Sequence, residues 1–274
     1  MPRLRRPDGV ELHWEERGEG PLVVIANTYF NYRRYFLGLL EDLERDHRVV
    51  EYDLRGNGLS TRAGPYDLDT DAADLAAVVE AAGPPSIAVA FGDGCLRAVK
   101  AAATHPGFIS AVVSPAGTPV GPRRLAGSEG LIASASVVDG IIRMAETDFR
   151  AAFRTIVESV NPQLTQDEIR ERVERTVAYC PPEPGAARAR AWVEGDATEE
   201  ARTLDDRLWI LDPGTNPWIP LDVQLGRTRE LLPEARIEHV EEGAYSRPDI
   251  AAAAVRELTR AARPAPRRSG ARRP

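Results

Sequence analysis

The sequence predicts an α/β fold: a doubly wound, mostly parallel sheet with an inserted helical lid. Three observations lead there. Leu22–Ala26 and Ser86–Ala90 are short, continuous apolar runs of the kind that form strands buried on both faces. Strand-like and helix-like segments alternate over roughly the first 120 residues. From Gly121 to Asp205 only helical patterns occur, and then the alternation resumes.

Taken in order, Val10–Glu16 alternates apolar and polar residues and reads as an edge strand ending at Gly18-Glu19-Gly20. Leu22–Ala26 is the first buried strand, Tyr35–Leu43 a helix, and Arg48–Tyr52 the next strand. Thr70–Ala82 has helical periodicity and stops at Gly83-Pro84-Pro85. Ser86–Ala90 is a strand, Cys95–Thr104 a helix ending before Pro106, and Ala111–Ser114 a strand. In the helical stretch, Thr165-Gln166-Asp167-Glu168 is a capping box followed by Ile169, Val173 and Val177 at helical spacing. Pro181-Pro182-Glu183-Pro184 breaks that helix. Leu208–Leu211 (strand), Gln224–Leu232 (helix), Ile237–Val240 (strand) and Asp249–Ala262 (helix) complete the chain. The expected division is a core of residues 1–120 and 206–262, a helical lid at 121–205, and a disordered Arg/Pro/Ala-rich tail at 263–274.

Composition narrows the function classes. At 274 residues and 43% hydrophobic, the chain can bury one sizeable core. Its net charge of −7 offers no broad basic field for nucleic acid. No apolar run approaches the ~18 residues of a membrane span, and the basic start Met1–Arg6 has no apolar segment behind it. Cys95 and Cys180 match no metal spacing and no disulfide framework, so the expectation is a cytoplasmic protein without a metal. Lys100 is the only lysine, and almost all positive charge is arginine. The oligomeric state is left open.

Two loops carry a family signature. Asp53-Leu54-Arg55-Gly56-Asn57-Gly58-Leu59-Ser60, after a buried strand, resembles the D-x-R-G-x-G-x-S loop of α/β-hydrolases. Ala90-Phe91-Gly92-Asp93-Gly94 lies between strand and helix, where that family has its nucleophile elbow, G-x-S-x-G. The elbow needs small residues two before and two after the nucleophile. Centring on Gly92 gives Ala90 and Gly94, whereas centring on Asp93 gives Phe91 and Cys95, a poorer fit. The family's acid position then falls on Asn216 of Asn216-Pro217-Trp218-Ile219-Pro220, with Asp212 four residues early, and its histidine position on Tyr245. The three triad positions Gly92, Asn216 and Tyr245 therefore hold no nucleophile, no carboxylate and no imidazole. The four histidines, His13, His47, His105 and His239, fall in or beside expected strands and helices, away from the carboxyl-end loops.

The backbone features of such a site survive. The elbow presents a helix N-terminus, and the N–H of Asp93 is expected to face the pocket. Asn27, Thr28, Tyr29 and Tyr32 occupy the oxyanion loop and its rim, and Trp192 and Trp218 either close it or pack into the core. Three functions fit: an isomerase acting on an already activated substrate, a non-catalytic binding protein, or a hydrolase with displaced residues and Asp93 as nucleophile.

The stripped elbow Ala90-Phe91-Gly92-Asp93, the amide Asn216 and the phenol Tyr245 resemble the atypical α/β-hydrolase-fold peptide epimerases of bottromycin biosynthesis. That resemblance implies conversion of L-aspartate to D-aspartate beside a thiazoline in a ribosomally made, modified peptide. It implies no cofactor, and a base supplied by the substrate's own carboxylate. On this reading Asn27, Thr28 and the Asp93 N–H hold a substrate carbonyl or carboxylate. Phe91 and Gly92 form an uncharged floor, and Tyr29, Tyr32, Trp192, Trp218 and Tyr245 pack against the peptide.

Overall fold

The computed structural model describes residues 2–125, 135–211, 221–240 and 247–262. Its eight-stranded sheet is ordered β1-β2-β4-β3-β5-β6-β7-β8. The strands are β1 (Arg3–Arg5), β2 (Glu11–Arg17), β3 (Leu22–Ala26), β4 (Arg48–Tyr52), β5 (Ser86–Ala90), β6 (Ile109–Pro115), β7 (Leu208–Leu211) and β8 (Arg236–Glu238). The pairs β1–β2 and β2–β4 are antiparallel, and every other pair is parallel.

Side-chain alternation along the buried strands divides the core into two layers. On one face, Val23, Ile25, Ile87, Val89 and Val113 pack against α1 (Leu37–Leu43) and α11 (Pro248–Ala261). On the other, Val24, Ala26, Ala88, Ala90 and Val112 pack against α2 (Leu68–Ala82) and α3 (Gly94–Thr104). Because both faces are covered, β3 and β5 are apolar throughout, which is why the sequence locates them at the same bounds.

Several boundaries differ from the sequence expectation for local reasons. The α2 helix starts at Leu68 rather than Thr70, because the Asp67 carboxylate accepts the Thr70 N–H at 2.7 Å and caps the helix. The β1 strand was not foreseen: with Leu4 its only apolar residue, pairing with β2 defines it rather than any pattern of its own. The β8 strand ends at Glu238, so His239 follows the strand instead of lying inside it.

Between β6 and β7 the described chain is helical, with a single isolated bridge from Val120 to Asp196. The helices are α4 (Pro122–Leu125), α5 (Ala135–Thr147), α6 (Phe149–Val160), α7 (Gln166–Tyr179), α8 (Pro182–Glu194) and α9 (Thr198–Ala201). The Thr165/Glu168 capping box opens α7 as expected. Phe153 and Val157 of α6 pack against Ile169 and Val173 of α7 as a small separate core. After β7 the fold closes with α10 (Leu221–Leu231), β8 and α11. Among the described residues no helix is long and apolar enough to cross a membrane.

The α8 helix is tied to α2 and to the 53–60 loop through charge. Arg188 of α8 is 2% exposed and pairs bidentately with Asp71 of α2, at 2.6 and 2.8 Å. Its other nitrogen–hydrogens reach Asn57 Oδ1 at 3.1 Å and the Arg55 carbonyl at 2.8 Å. Replacing Arg188 with Met leaves Asp71 buried and unpaired, for an expected loss of about 3–5 kcal/mol. Adding Asp71→Leu should restore part of that loss, because the stranded charge is then gone. Urea unfolding midpoints of the two variants, at unchanged slope, check this.

Candidate functional site

The turn from β5 into α3 has one residue in the left-handed region, Gly92, at φ 53°. Asp93 follows with helical dihedrals, φ −63° and ψ −16°, as the N-cap of α3. The strained position of the elbow is therefore Gly92. A Cβ on Gly94 would stand 2.0 Å from the Ala26 carbonyl oxygen, so α3 reaches this close to β3 only because that residue is glycine. The turn is closed by Gly94 N–H donating to the Phe91 carbonyl at 2.8 Å and Cys95 N–H to the Gly92 carbonyl at 3.1 Å. No hydrogen bond to the Asp93 N–H is present among the described residues.

The loop after β3, residues 27–31, is held against this elbow by charged side chains. Asp93 is 7% exposed, and its Oδ1 accepts the Tyr29 N–H at 3.2 Å. Its Oδ2 pairs with Arg97 one turn along α3, and Arg97 also donates to the Asn27 carbonyl. Burial pushes the Asp93 carboxyl above its ordinary value, and the Arg97 charge opposes that shift. On the other side, Asn57 Nδ2 donates to the Tyr29 carbonyl at 2.6 Å. Two polar atoms of the loop, Asn27 Oδ1 and Thr28 Oγ1, are buried without a partner.

The loop 53–60 accounts for its motif residue by residue. Asp53 accepts the Leu59 N–H at 2.9 Å and the Tyr179 hydroxyl at 3.1 Å, and pairs with Arg33. Arg55 is bidentate to Asp74 at 2.7 and 2.9 Å. Gly58, at φ 50°, has no room for a Cβ, which would meet the Asp53 carboxylate at 2.5 Å. Ser60 Oγ donates to the Asp53 carbonyl at 2.7 Å and accepts the His13 N–H at 2.9 Å.

With the geometry in place, comparison with known proteins gives the family. Residues 21–176, more than half of the chain, match the alpha/beta hydrolase fold family. The chain belongs to the α/β-hydrolase family. Similar solved structures include an esterase from Exiguobacterium antarcticum, 20% identical over 94% of this chain and 98% of that one, with a TM-score of 0.73. A thermophilic esterase from Thermogutta terrifontis is 21% identical over 95% and 99%, also at 0.73. The enol-lactonase from Burkholderia xenovorans LB400 is 20% identical over 94% and 98%, at 0.69. No functionally curated sequence matches.

Within this α/β-hydrolase the expected site residues separate. Asn27, Thr28, Tyr29, Gly92 and Asp93 come together at the elbow, through the contacts just described. Tyr29 is fully buried in the core beside Phe30 and Phe149, and burial drives its phenol well above the ordinary value. Phe91 is not a pocket floor: it stacks on Phe36 at 3.7 Å within the α1–α11 core layer. The reason is the period of two along β5, which puts Ile87, Val89 and Phe91 on one face. Tyr32 is half-buried at the rim, edge-on to Tyr35 and Tyr179, with the Arg175 guanidinium 3.8 Å above its ring. Trp192 lines a small cleft between α2, α3 and α8 together with Asp71, Asp93, Arg97 and Arg188. Asn216, Trp218, Tyr245 and Asp212 lie outside the described residues.

Arg97 and Arg188 were not foreseen at the site. A signal existed for Arg97, which interrupts the apolar face Leu96, Ala98, Val99, Ala101 of α3 at i+4 from Asp93.

Three of the four histidines stand apart from the elbow. His13 is on β2, His47 is bonded to Asp46 and Thr259, and His105 caps the far end of α3. His239 departs from the sequence expectation: β8 ends at Glu238, so His239 follows the carboxyl end of that strand, the sheet end that also carries the elbow, three strand spacings or about 14 Å from β5. Both thiols are buried and pushed up to about 12. Two outcomes follow. Gly92→Ser should fold at a cost of about 1–2 kcal/mol for its left-handed backbone and should show neither p-nitrophenyl ester turnover nor fluorophosphonate labelling. Cys95 and Cys180 should resist a thiol-exchange reagent at pH 8 in the native protein, and both should react in urea.

Proposed function

We propose that this α/β-hydrolase is a cofactor-free peptide epimerase that inverts L-aspartate to D-aspartate beside a thiazoline in a ribosomally made peptide. The observation that carries the reading is the glycine at the strained elbow position, Gly92 at φ 53°, in a site that keeps its anion-binding backbone. A serine esterase needs a hydroxyl there and an imidazole to activate it. Epimerisation needs neither. The Cα–H beside an imine-like ring is already acidic, and the protein has to orient the substrate, exclude water and stabilise the enolate-like intermediate.

In the proposed step, the substrate's aspartate carboxylate takes the Cα proton, and the electron pair moves into the thiazoline C=N. The proton returns to the opposite face, so no atom is gained or lost. A base from the substrate accords with the state of the carboxylates at the site. Asp93 is bound to Arg97, and Asp71 to Arg188. The Asp93 N–H at the head of α3 offers a donor to the developing negative charge.

The similarity to esterases favours hydrolysis instead, with Asp93 as the displaced nucleophile. Against that reading, both of its carboxylate oxygens are engaged, by Arg97 and by the Tyr29 N–H, and only 7% of the residue is exposed. An attacking carboxylate would have to break the clamp that holds the loop.

The test is incubation with a thiazoline-bearing aspartyl peptide in deuterated water. A gain of one dalton at Cα with D-aspartate and an intact chain is the expected result. Binding without exchange above the spontaneous rate would make the protein a non-catalytic binder. Cleavage would return it to the hydrolases and direct attention to Asp93.

A further inference from the structure

We infer that the cleft between α2, α3 and α8 is a binding site for one water molecule, held by Arg97, that joins the ion pair of the lid to the ion pair of the elbow. The site goes beyond the function proposed above and does not depend on it.

Arg97 has donors to spare. A guanidinium carries five N–H groups. Among the described residues, Arg97 Nη1 donates to Asp93 and Nη2 to the Asn27 carbonyl, while Nε is buried without a partner. The side chain is only 3% exposed. A charged donor left unmet in the interior is unfavourable, so a small acceptor beside Arg97 is favoured. Arg97 lines the cleft, whose room for the centre of a water molecule is about 10 Å³. One water needs ~10–15 Å³ by that measure. A buried water also needs two to four polar partners, and Asp71, Asp93 and Arg188 stand in the same walls, with Leu96 and Trp192 among the apolar ones.

The four charged residues act on one another. Asp71 raises the proton affinity of both Asp93 and Arg97, and Asp93 raises that of Arg188. The pairs Asp71–Arg188 and Asp93–Arg97 therefore lie within electrostatic reach of each other. This balance selects the occupant. Two arginines and two aspartates cancel, so an anion would bring an uncompensated charge into the interior, and a cation would meet Arg97. An organic group exceeds the space. A water fits both the volume and the chemistry: its oxygen accepts from Arg97, and its hydrogens go to carboxylate oxygens. Each of the four oxygens of Asp71 and Asp93 accepts a single bond among the described residues and has capacity for a second. Since Asp71 holds Arg188 of α8, the water gives the lid a second link to the elbow, besides the one that runs through Asn57 to the Tyr29 carbonyl.

The Tyr52 hydroxyl is a competing group. It too is buried without a partner and acts electrostatically on Arg97, but Tyr52 is not among the residues that line the cleft.

The test is NMR of nitrogen-15-labelled protein in water, read at the Arg97 Nε–H. That proton should show a cross-relaxation peak to water with the sign of a long-lived bound molecule. Ala191→Leu, which fills the cleft from α8, should abolish the peak while the far-ultraviolet circular dichroism stays unchanged. No peak in the unsubstituted protein, or a peak that survives in folded Ala191→Leu, overturns the inference. A crystal structure of the unsubstituted protein is the second readout and needs no variant. Density for one water within hydrogen-bond distance of Arg97 Nε is the expected result. The Tyr52 hydroxyl bonded directly to Nε, a cleft without density, or an anomalous peak there after a bromide soak each overturns the inference, the last by making the site one for a halide.

Discussion

The Arg188 guanidinium is the contact on which the site's shape depends. It is held by Asp71 on α2, by the Asn57 side chain and by the Arg55 carbonyl. One buried cation therefore ties α8, α2 and the 53–60 loop together. Asn57, so oriented, donates to the Tyr29 carbonyl and fixes the loop beside the elbow. Such a cluster adds little net stability compared with apolar packing, but it tolerates only one arrangement of its donors and acceptors. Its contribution is definition: the loop is pinned at the Tyr29 carbonyl.

The second pin comes from α3. Asp93 and Arg97 form a buried ion pair whose spare valences go to the backbone of residues 27–29. This explains why an acidic residue directly beside the nucleophile position is not chemically available. Its two oxygens are used for architecture, and desolvation raises its proton affinity further. Asp71 and Asp93 are each matched by an arginine, so the two pairs carry no net charge into the interior. A substrate that brings its own carboxylate meets a site with donors but without a competing free anion from either pair.

Much of the fold was legible because burial on both faces leaves a strong mark. Arg48–Tyr52 and Leu208–Leu211, like β3 and β5, lie where the apolar runs predicted. Elements defined by pairing or capping were harder: β1 exists through β2, and the start of α2 through one Asp67 side chain. Side-chain size favoured Gly92 over Asp93 as the elbow centre and left one residue of play, which the fold removes through the φ of 53° at Gly92 and the helical dihedrals of Asp93. Phe91 was misplaced although the alternation of β5 would have put it in the core. Arg188 was not legible, because its neighbours in sequence are those of an ordinary solvated helix. Its partner Asp71 lies 117 positions away, and only the fold brings the two together.

Glycine at the elbow position has a consequence for the turn itself. A serine at a left-handed backbone position stores strain, which the family's hydrolases convert into an exposed hydroxyl. Glycine adopts φ 53° without that strain and carries no side chain there. The elbow thus keeps its turn and its helix N-terminus. For a substrate whose amide bonds must survive, that exchange is favourable twice over. The attacking group is absent, and the Asp93 N–H keeps its place at the head of α3. On the proposed function, binding and charge stabilisation are the protein's contribution, and the buried charges of Asp93 and Arg97 hold the loop in place of transferring a proton.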